Sequence, residues 1–381
     1  MRLQYKRTRS TKLKVLLTGI TGLVGASVVT SILKEHDDIE IVAVCRDGRG
    51  VPAAQRVQEA ILDQCAFDGI SEYAQKILSH IKVVSGDIKN YPVEAILAEG
   101  PYDVFFHCAA DVNLGKDPNG AVCQTNLEGT RRTLELAHLL KVKELHYVST
   151  AYVAGKSVGR VMEGELKATD FVNSYERSKF MAEKLVMECG IPYTIYRPSI
   201  IVGRLSDGLI RKPLAFYRIL EFLGKVKRHT CIKQGLKPGS AIRLNLRLQS
   251  KLSDKIYFVP VDYVQKAIST LFFRKPCNKC YHITGESPVS TEDIKTAIAT
   301  VLKTEGLQVL ESVPDQTPEE RRVQMMIEDL MPYFASQIIF DNTQVKADLG
   351  EEALNWKQDL AFLKRMAYSY YKEMDSSLLE E

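Results

Sequence analysis

The chain has 381 residues, 45% hydrophobic and 26% charged, enough apolar material for one large domain with a lobe or for two domains. Its 51 basic and 47 acidic residues leave a net charge of +4, too balanced to mark a nucleic-acid-binding protein. No window approaches the roughly 18 continuous apolar residues that a membrane span requires.

Residues 1–12 (MRLQYKRTRSTK) are basic and carry no acid. A secretory leader needs an apolar core after its charges, whereas a strand of the fold follows here at once. A solvated tail on a cytoplasmic protein is expected. Cys45, Cys108 and Cys280 lie in or beside strand-like runs, which suits reduced thiols. Cys277 and Cys280 form a close pair without a second such pair, so no metal site is expected.

Val15, Leu16 and Leu17 make a short apolar run, long enough for a buried strand. Gly19, Gly22 and Gly25 follow, and then Val24, Val28, Val29, Ile32 and Leu33 at helical spacing. Strand, glycine turn and helix in that order suit a dinucleotide. One glycine permits the tight turn, one lets the backbone approach the pyrophosphate, and one lets helix pack on strand. Ile39 to Cys45 is the second strand. Arg46 closes it where a ribose-reading residue is expected. An arginine there accommodates the 2′-phosphate of NADP(H), whereas an acid favours NAD(H), and the adjacent Asp47 leaves NAD(H) open. Arg49 and Arg56 either add positive charge there or are solvated.

The pattern predicts a helix over 53–67, a third strand over 81–84 ending in Gly86-Asp87-Ile88, and a fourth over 102–108. The fourth ends in Ala109-Ala110-Asp111-Val112-Asn113, small enough for a ligand, or a packed helix, to lie against the backbone. A helix over 126–140, a strand over 144–148, a helix over 174–189 and a strand over 193–196 complete the alternation. Strands alternating with helices give an α/β doubly wound parallel Rossmann sheet, which binds ligands beyond the carboxyl ends of its strands.

After Gly203 the pattern loosens. Residues 225–255 hold nine basic side chains, among them Arg243, Arg247 and Lys251, against one acid, Asp254. A solvated face, a nucleic-acid surface and a docking site for an anionic handle compete, and the last is favoured by its place between the sixth strand and Pro260-Val-Asp262. Strand character returns at 256–261 and 281–284. Ser290-Thr-Glu-Asp293 looks like a helix start with a capping box, and a short strand is expected near 309–313. Trp356 is expected to be a packing residue. The expected organisation is a tail over 1–12, a Rossmann domain over 13–205 with 256–285 returning to it, and a smaller, mixed but mainly helical substrate lobe over 206–255 and 286–381.

Tyr175 and Lys179 are four apart and share one helix face. A phenol is ordinarily too weak an acid for easy proton exchange at neutral pH, and an ammonium beside it would favour the phenolate. Tyr175 could then protonate a carbonyl oxygen as hydride arrives. Thr150, at the end of the fifth strand, could bond the same oxygen. Strand alternation points Ser149 the other way.

The motifs together resemble the extended branch of the short-chain dehydrogenase/reductase superfamily. The matching pieces are Thr18-Gly-Ile-Thr-Gly-Leu-Val-Gly25, Gly86-Asp87-Ile88, His107-Cys-Ala-Ala110, Asn126-Leu-Glu-Gly-Thr130, Val148-Ser-Thr150, Tyr175-x-x-x-Lys179 and Arg197-Pro198. They cover residues 13–203. Val148-Ser-Thr-Ala-Tyr-Val153, Ser178-Lys-Phe-Met-Ala-Glu183 and Pro260-Val-Asp-Tyr-Val264 resemble the thioester-reductase and fatty-acyl-reductase subgroup (the male-sterility type).

That resemblance implies Thr150, Tyr175 and Lys179 as catalytic residues. It implies cofactor binding by Gly19, Thr21, Gly22, Leu23, Val24, Gly25, Arg46, Arg56, Asp87, Ile88, Ala109, Ala110, Asp111, Tyr175, Lys179, Pro198 and Ser199. The expected activity is NADPH-dependent reduction of an acyl thioester, or of the aldehyde or ketone made from one. The substrate would be held on coenzyme A or on an acyl or peptidyl carrier protein. No carrier or adenylation region is present, so another protein would deliver a carrier-bound substrate. A monomer or homodimer is expected, without nucleic acid. A sugar-nucleotide epimerase using NAD and a non-catalytic dinucleotide sensor are the alternatives. Ala151-Tyr152 after Thr150 argues against a dehydratase, and the retained tyrosine and lysine argue against a sensor.

Overall fold

The computed structural model describes residues 12–48, 50–351 and 356–380. The tail before Lys12, and Arg49, lie outside them. Seven parallel strands form the central sheet. They are β1 (Leu13–Thr18), β2 (Ile39–Cys45), β3 (Ile81–Ser85), β4 (Val104–His107), β5 (Glu144–Val148), β6 (Tyr193–Pro198) and β7 (Lys279–Ile283). Their order is β7-β6-β5-β4-β1-β2-β3. The chain reverses direction of travel between β3 and β4, so the crevice for a ligand opens between the ends of β1 and β4, which pair from Val15–Val104 to Thr18–His107.

Local sequence explains the elements. β1 and β2 are almost wholly buried, as expected of strands covered on both faces. Helix α1 (Leu23–Glu35) turns Val28, Val29, Ile32 and Leu33 into the core, and α2 (Ala53–Phe67) buries Val57, Ile61 and Cys65 beside it. The helix expected over 126–140 is broken. A short helical stretch, Ala121–Cys123, runs into one wide π turn, Gln124–Glu128, before α3 (Gly129–Leu139). Such turns recur at functional positions, and this one carries Asn126 to the site. Helix α4 (Ser174–Glu188) is capped by Asn173, whose side chain accepts from the Glu176 amide.

The other half of the molecule has its own apolar cluster, built around α5 (Tyr217–Lys233) and α8 (Leu360–Asp375). Between them in sequence come α6 (Val261–Phe272), which packs on the sheet side, and α7 (Pro318–Ile327). The strand expected over 309–313 instead covers Thr304–Leu310 and pairs with Ile242–Gln249, inside the basic stretch. Ser290 caps the helix Thr291–Val301 by accepting from the Asp293 amide. A full reciprocal capping box occurs elsewhere, at Thr317 and Glu320. Trp356 packs against Tyr263, with ring centroids 5.3 Å apart. All eight cysteines are free, and the described residues hold no cluster that could bind a metal. No described helix is long and apolar enough to cross a membrane.

Candidate active site

The glycine turn is sterically forced. Gly19 sits at φ +83°, and a Cβ there would lie 2.6 Å from the Ala109 amide nitrogen; at Gly25 it would lie 2.2 Å from the Gly19 carbonyl. The chain leaving β4 therefore runs directly against the turn leaving β1. Helix α1 starts from Gly22, which has no side chain to cap it. Its first amides and its positive dipole end are left to whatever occupies the crevice.

The crevice is a cleft of about 200 Å³. Gly19, Thr21 and Gly22 of the turn line it together with Arg46, Arg56, Asp87, Ile88, Ala109 and Ala110, among others. Leu23 is buried beneath the turn and Val24 packs on the core, and neither lines the cleft. Asp111 is off the wall, its amide donating to Asn126 Oδ1 at 2.7 Å, and Thr125 lines the cleft instead. Arg46 is exposed, with Nη1 3.6 Å from Asp87 Oδ2. Arg56 donates to the Arg46 carbonyl. The Asp47 carboxylate is engaged with α2, where its Oδ1 accepts from the Ala53 amide at 2.7 Å in the first turn.

The second group of residues lies at the end of β5. Thr150 Oγ1 donates to the Pro198 carbonyl at 3.4 Å and accepts from the Tyr152 amide. Tyr175, in the first turn of α4, is half-buried and hydrogen-bonded to Thr150. One turn along, Lys179 Nζ donates to the Val148 carbonyl at 2.7 Å and lies 4.1 Å from the centre of the Tyr147 ring. Pro198 and Ser199 continue β6 beneath this pair. Ser199 Oγ is buried without a hydrogen-bond partner among the described residues.

The electrostatics differ from the sequence expectation in one respect. Burial pushes the Tyr175 phenol well above its ordinary value, and the hydrogen bond with Thr150 is what opposes it. Lys179 supplies no such relief. Its ammonium is itself desolvated, brought down to about 8 by burial, and is turned onto a carbonyl. Tyr175 is thus held protonated at neutral pH, the form that can give a proton away.

Residues that pattern reading missed hold this arrangement. Asn126 donates to the Asp111 carbonyl at 2.9 Å and to Ser178 Oγ at 3.0 Å, tying the end of β4 to α4. Ser149 Oγ donates to Glu183, whose other oxygen takes Arg197 Nε at 2.7 Å in a pair sealed from solvent. Arg197 also donates to the Glu163 and Glu165 carbonyls. Tyr333, far along the chain, accepts from Asn173 Nδ2 at 2.9 Å and packs edge-on against Tyr152, which brings the second cluster onto the start of α4. The available signal was a buried-looking Ser149 and Arg197, each needing a partner; nothing local pointed to Tyr333.

The basic stretch does not form one face. Its first half is α5 and its second the strand Ile242–Gln249. Arg247 is bound by Glu320 through Nε at 2.8 Å and by Asp315 through Nη1 at 2.9 Å, so it is a structural tie and not a free docking charge. Lys225 pairs with Glu221, Arg228 with Asp375, and Lys227 is buried. Lys251 lies 3.9 Å from Glu311. A run of charge in sequence is dispersed over two elements, with acids brought from elsewhere.

A glycine cleft at the sheet's reversal point beside a Thr–Tyr–Lys group defines a nucleotide-binding fold of the extended short-chain dehydrogenase/reductase type. Residues 17–268 match the family described as male sterility protein, and the chain belongs to that family. Among its relatives is a putative fatty acyl-CoA reductase of Drosophila melanogaster, 28% identical over 50% of this chain and 41% of the relative. A non-canonical nonribosomal peptide synthetase of Cladobotryum is 26% identical over 77% of the chain and 28% of that protein. An aldehyde reductase of Aspergillus flavus is 25% identical over 68% and 24%. The matched part of the chain therefore spans between 24% and 41% of the length of these relatives. In fold it is similar to the terminal R domain of the myxalamid biosynthetic pathway, with a TM-score of 0.73, 23% identity, and coverage of 96% of this chain and 92% of that one.

Proposed function

We propose that this protein is an NADPH-dependent reductase of acyl thioesters, or of the aldehydes derived from them, with Tyr175 as proton donor. The observation that carries the reading is the convergence of Thr150, at the end of β5, with Tyr175 and Lys179, one turn apart on α4, beside a glycine cleft whose helix start has no side-chain cap. The relatives named as fatty acyl-CoA and aldehyde reductases support the substrate class. Arg46 on the cleft wall, with Asp47 spent on α2, supports the phosphorylated cofactor.

The residues present suit the cofactor. Gly19, Gly22 and the first amides of α1 would take the pyrophosphate, Arg46 and Arg56 the adenosine side, and Lys179 the nicotinamide ribose. Bound NADPH supplies the hydride. Thr150 and Tyr175 orient the substrate carbonyl by hydrogen bonds to its oxygen, and Tyr175 Oη gives that oxygen its proton as charge develops there. For a thioester, the product of this addition is a hemithioacetal, which separates into aldehyde and free thiol. Asn126 and the Ser149–Glu183–Arg197 chain keep β5 and α4 in register.

The test is NADPH oxidation by the purified protein with an acyl-coenzyme A or acyl-carrier substrate, with trapping of the aldehyde. Consumption of NADPH with stoichiometric thiol release is expected. Turnover of a sugar nucleotide without net cofactor change would replace this reading with an epimerase.

A further inference from the structure

We propose that Arg211 and Lys212, carried on a strap from the other half of the molecule, form an additional wall of the dinucleotide cleft and bind its phosphate groups. The proposal rests on the dinucleotide reading of the cleft and adds a site that the glycine motif does not contain.

The strap begins after the short strand Ile200–Val202 and is held rigidly at its base. The Leu205 amide donates to both oxygens of Asp262, each at 3.2 Å. A Cβ on Gly203 would lie 2.0 Å from the Gly208 carbonyl, and one on Gly208 would lie 2.6 Å from Met366 Cα in α8. Arg204 reaches the nucleotide half, donating Nη1 to the Phe67 carbonyl at 2.6 Å and stacking 4.2 Å over the Phe67 ring.

The strap then delivers two cations to the glycine turn itself. Arg211 donates Nε to Gln64 Oε1 at 2.7 Å and Nη2 to the Gly22 carbonyl at 2.9 Å. Lys212 Nζ donates to the Thr21 carbonyl at 2.6 Å. Thr21 and Gly22 line the cleft, as do Arg46 and Arg56.

Three features separate this arrangement from simple packing. Neither cation is ion-paired with a carboxylate among the described residues; both rest on neutral carbonyls. Arg211 Nη1 is buried and has no partner there, although two other nitrogens fix the side chain in place. An orphaned buried donor is costly. The cations also repel one another: burial first and then the charge of Arg211 lower Lys212, Asp63 opposing from a distance without forming an ion pair. They stand, moreover, at the positive end of α1. A phosphate placed among them turns each of these costs into an attraction. The phosphate could be the 2′-phosphate or the pyrophosphate of the dinucleotide, and the 3′-phosphate of coenzyme A is the rival source.

The experiment titrates wild-type protein, Arg211→Gln and Lys212→Gln with adenosine 2′,5′-bisphosphate, ADP and coenzyme A by calorimetry, without substrate. Lys212 is exposed, so its variant folds even if Arg211→Gln does not. Each substitution is expected to weaken nucleotide binding by about tenfold, the worth of one charge-assisted hydrogen bond. A loss confined to the bisphosphate assigns the 2′-phosphate, and an equal loss with ADP assigns the pyrophosphate; either supports the proposal. Affinities for both nucleotides within about twofold of wild type would overturn it, as would a loss seen only with coenzyme A. If the wild-type protein binds neither nucleotide, the dinucleotide reading itself fails and the strap site with it.

Discussion

The sheet half and the lobe of this protein are built from similar residues by different rules. In the sheet half each strand is followed by the helix that covers it, and neighbours such as β1 and β2 are separated only by that helix. In the lobe the partners come from far apart: Ile242–Gln249 meets Thr304–Leu310, and Gly159–Val161 meets Ile338–Phe340. The chemistry divides the same way. Groups that face the cofactor cleft come mostly from strand ends and the helix starts after them, while the lobe contributes side chains that close over them, Tyr333 and the Arg211 strap among them. Local units place reactive groups; long-range contacts decide how they are enclosed.

The sharpest break of that comparison is Tyr175→Phe. It removes the proton donor and leaves the fold and the cleft intact. Turnover should fall by about 10²–10⁴ while NADPH affinity stays near that of wild type. Steady-state rates with a cofactor titration check it, and a near-normal rate would move the chemistry away from α4.

Next in size is the pair of buried and half-open arginines. Arg197 and Glu183 are fully buried, so Arg197→Ala leaves a carboxylate stranded and should cost about 3–5 kcal/mol in urea unfolding. Arg247 grips Glu320 through two nitrogens, Nε at 2.8 Å and Nη2 at 2.9 Å, and its own side chain keeps contact with water although Glu320 is nearly buried. Arg247→Ala should cost clearly less, because water can enter where the half-open guanidinium leaves and the backbone amides of residue 247 and Thr317 still donate to the carboxylate. Equal losses would mean that burial does not set the difference between the two halves.

How far the sequence carried follows from these rules. The glycine turn and the places of Thr150 at a strand end and of Tyr175 and Lys179 on the next long helix were legible because strand runs and helical spacing announce themselves. β2, α2 and β5 have the spans that pattern alone assigns. The π turn at Asn126 was invisible, since one widened turn leaves helical spacing nearly unchanged. Arg211 and Lys212 lacked any signal, because their meaning depends on a backbone contact across the molecule. The basic stretch misled for the same reason: charge is read along the chain, but acids such as Glu320 arrive from elsewhere in space. The depression of Tyr175 by Lys179 failed because spacing does not reveal that the ammonium would be desolvated too.

A smaller effect tests the cleft wall. Arg46→Ala should weaken NADPH by about tenfold and leave NADH within about twofold, since only NADPH offers a phosphate to the guanidinium. Dissociation constants for both cofactors, in wild type and variant, decide it. An equal fall in both would remove Arg46 as the discriminating residue.

The smallest effect is a difference in the pH dependence of stability between two glutamates. Glu176 follows Tyr175 in α4 with its carboxyl buried; burial raises it from 4.5 to about 7, against the hydrogen bond from the Val172 amide. A carboxyl raised on folding binds its proton more tightly in the native state. Its contribution is therefore full below 4.5 and is lost as pH rises through about 7. Glu163, raised to about 7 mainly by burial, acts in the same direction. Glu320 in the lobe is the reverse case. The hydrogen bond from Arg247 lowers it to about 2, so its contribution is present above 4.5 and is lost as pH falls through about 2. Glu176→Gln should change stability little at pH 5, where an amide replaces a protonated acid, and should flatten the decline between pH 5 and pH 8. Glu320→Gln should leave that limb alone and flatten the acid limb. Urea melts across pH 3–8 for the three proteins separate the two. If Glu176→Gln moves the acid limb instead, the carboxyl beside Tyr175 is ionised in the folded protein, and the phenol it faces is held protonated by charge as well as by burial.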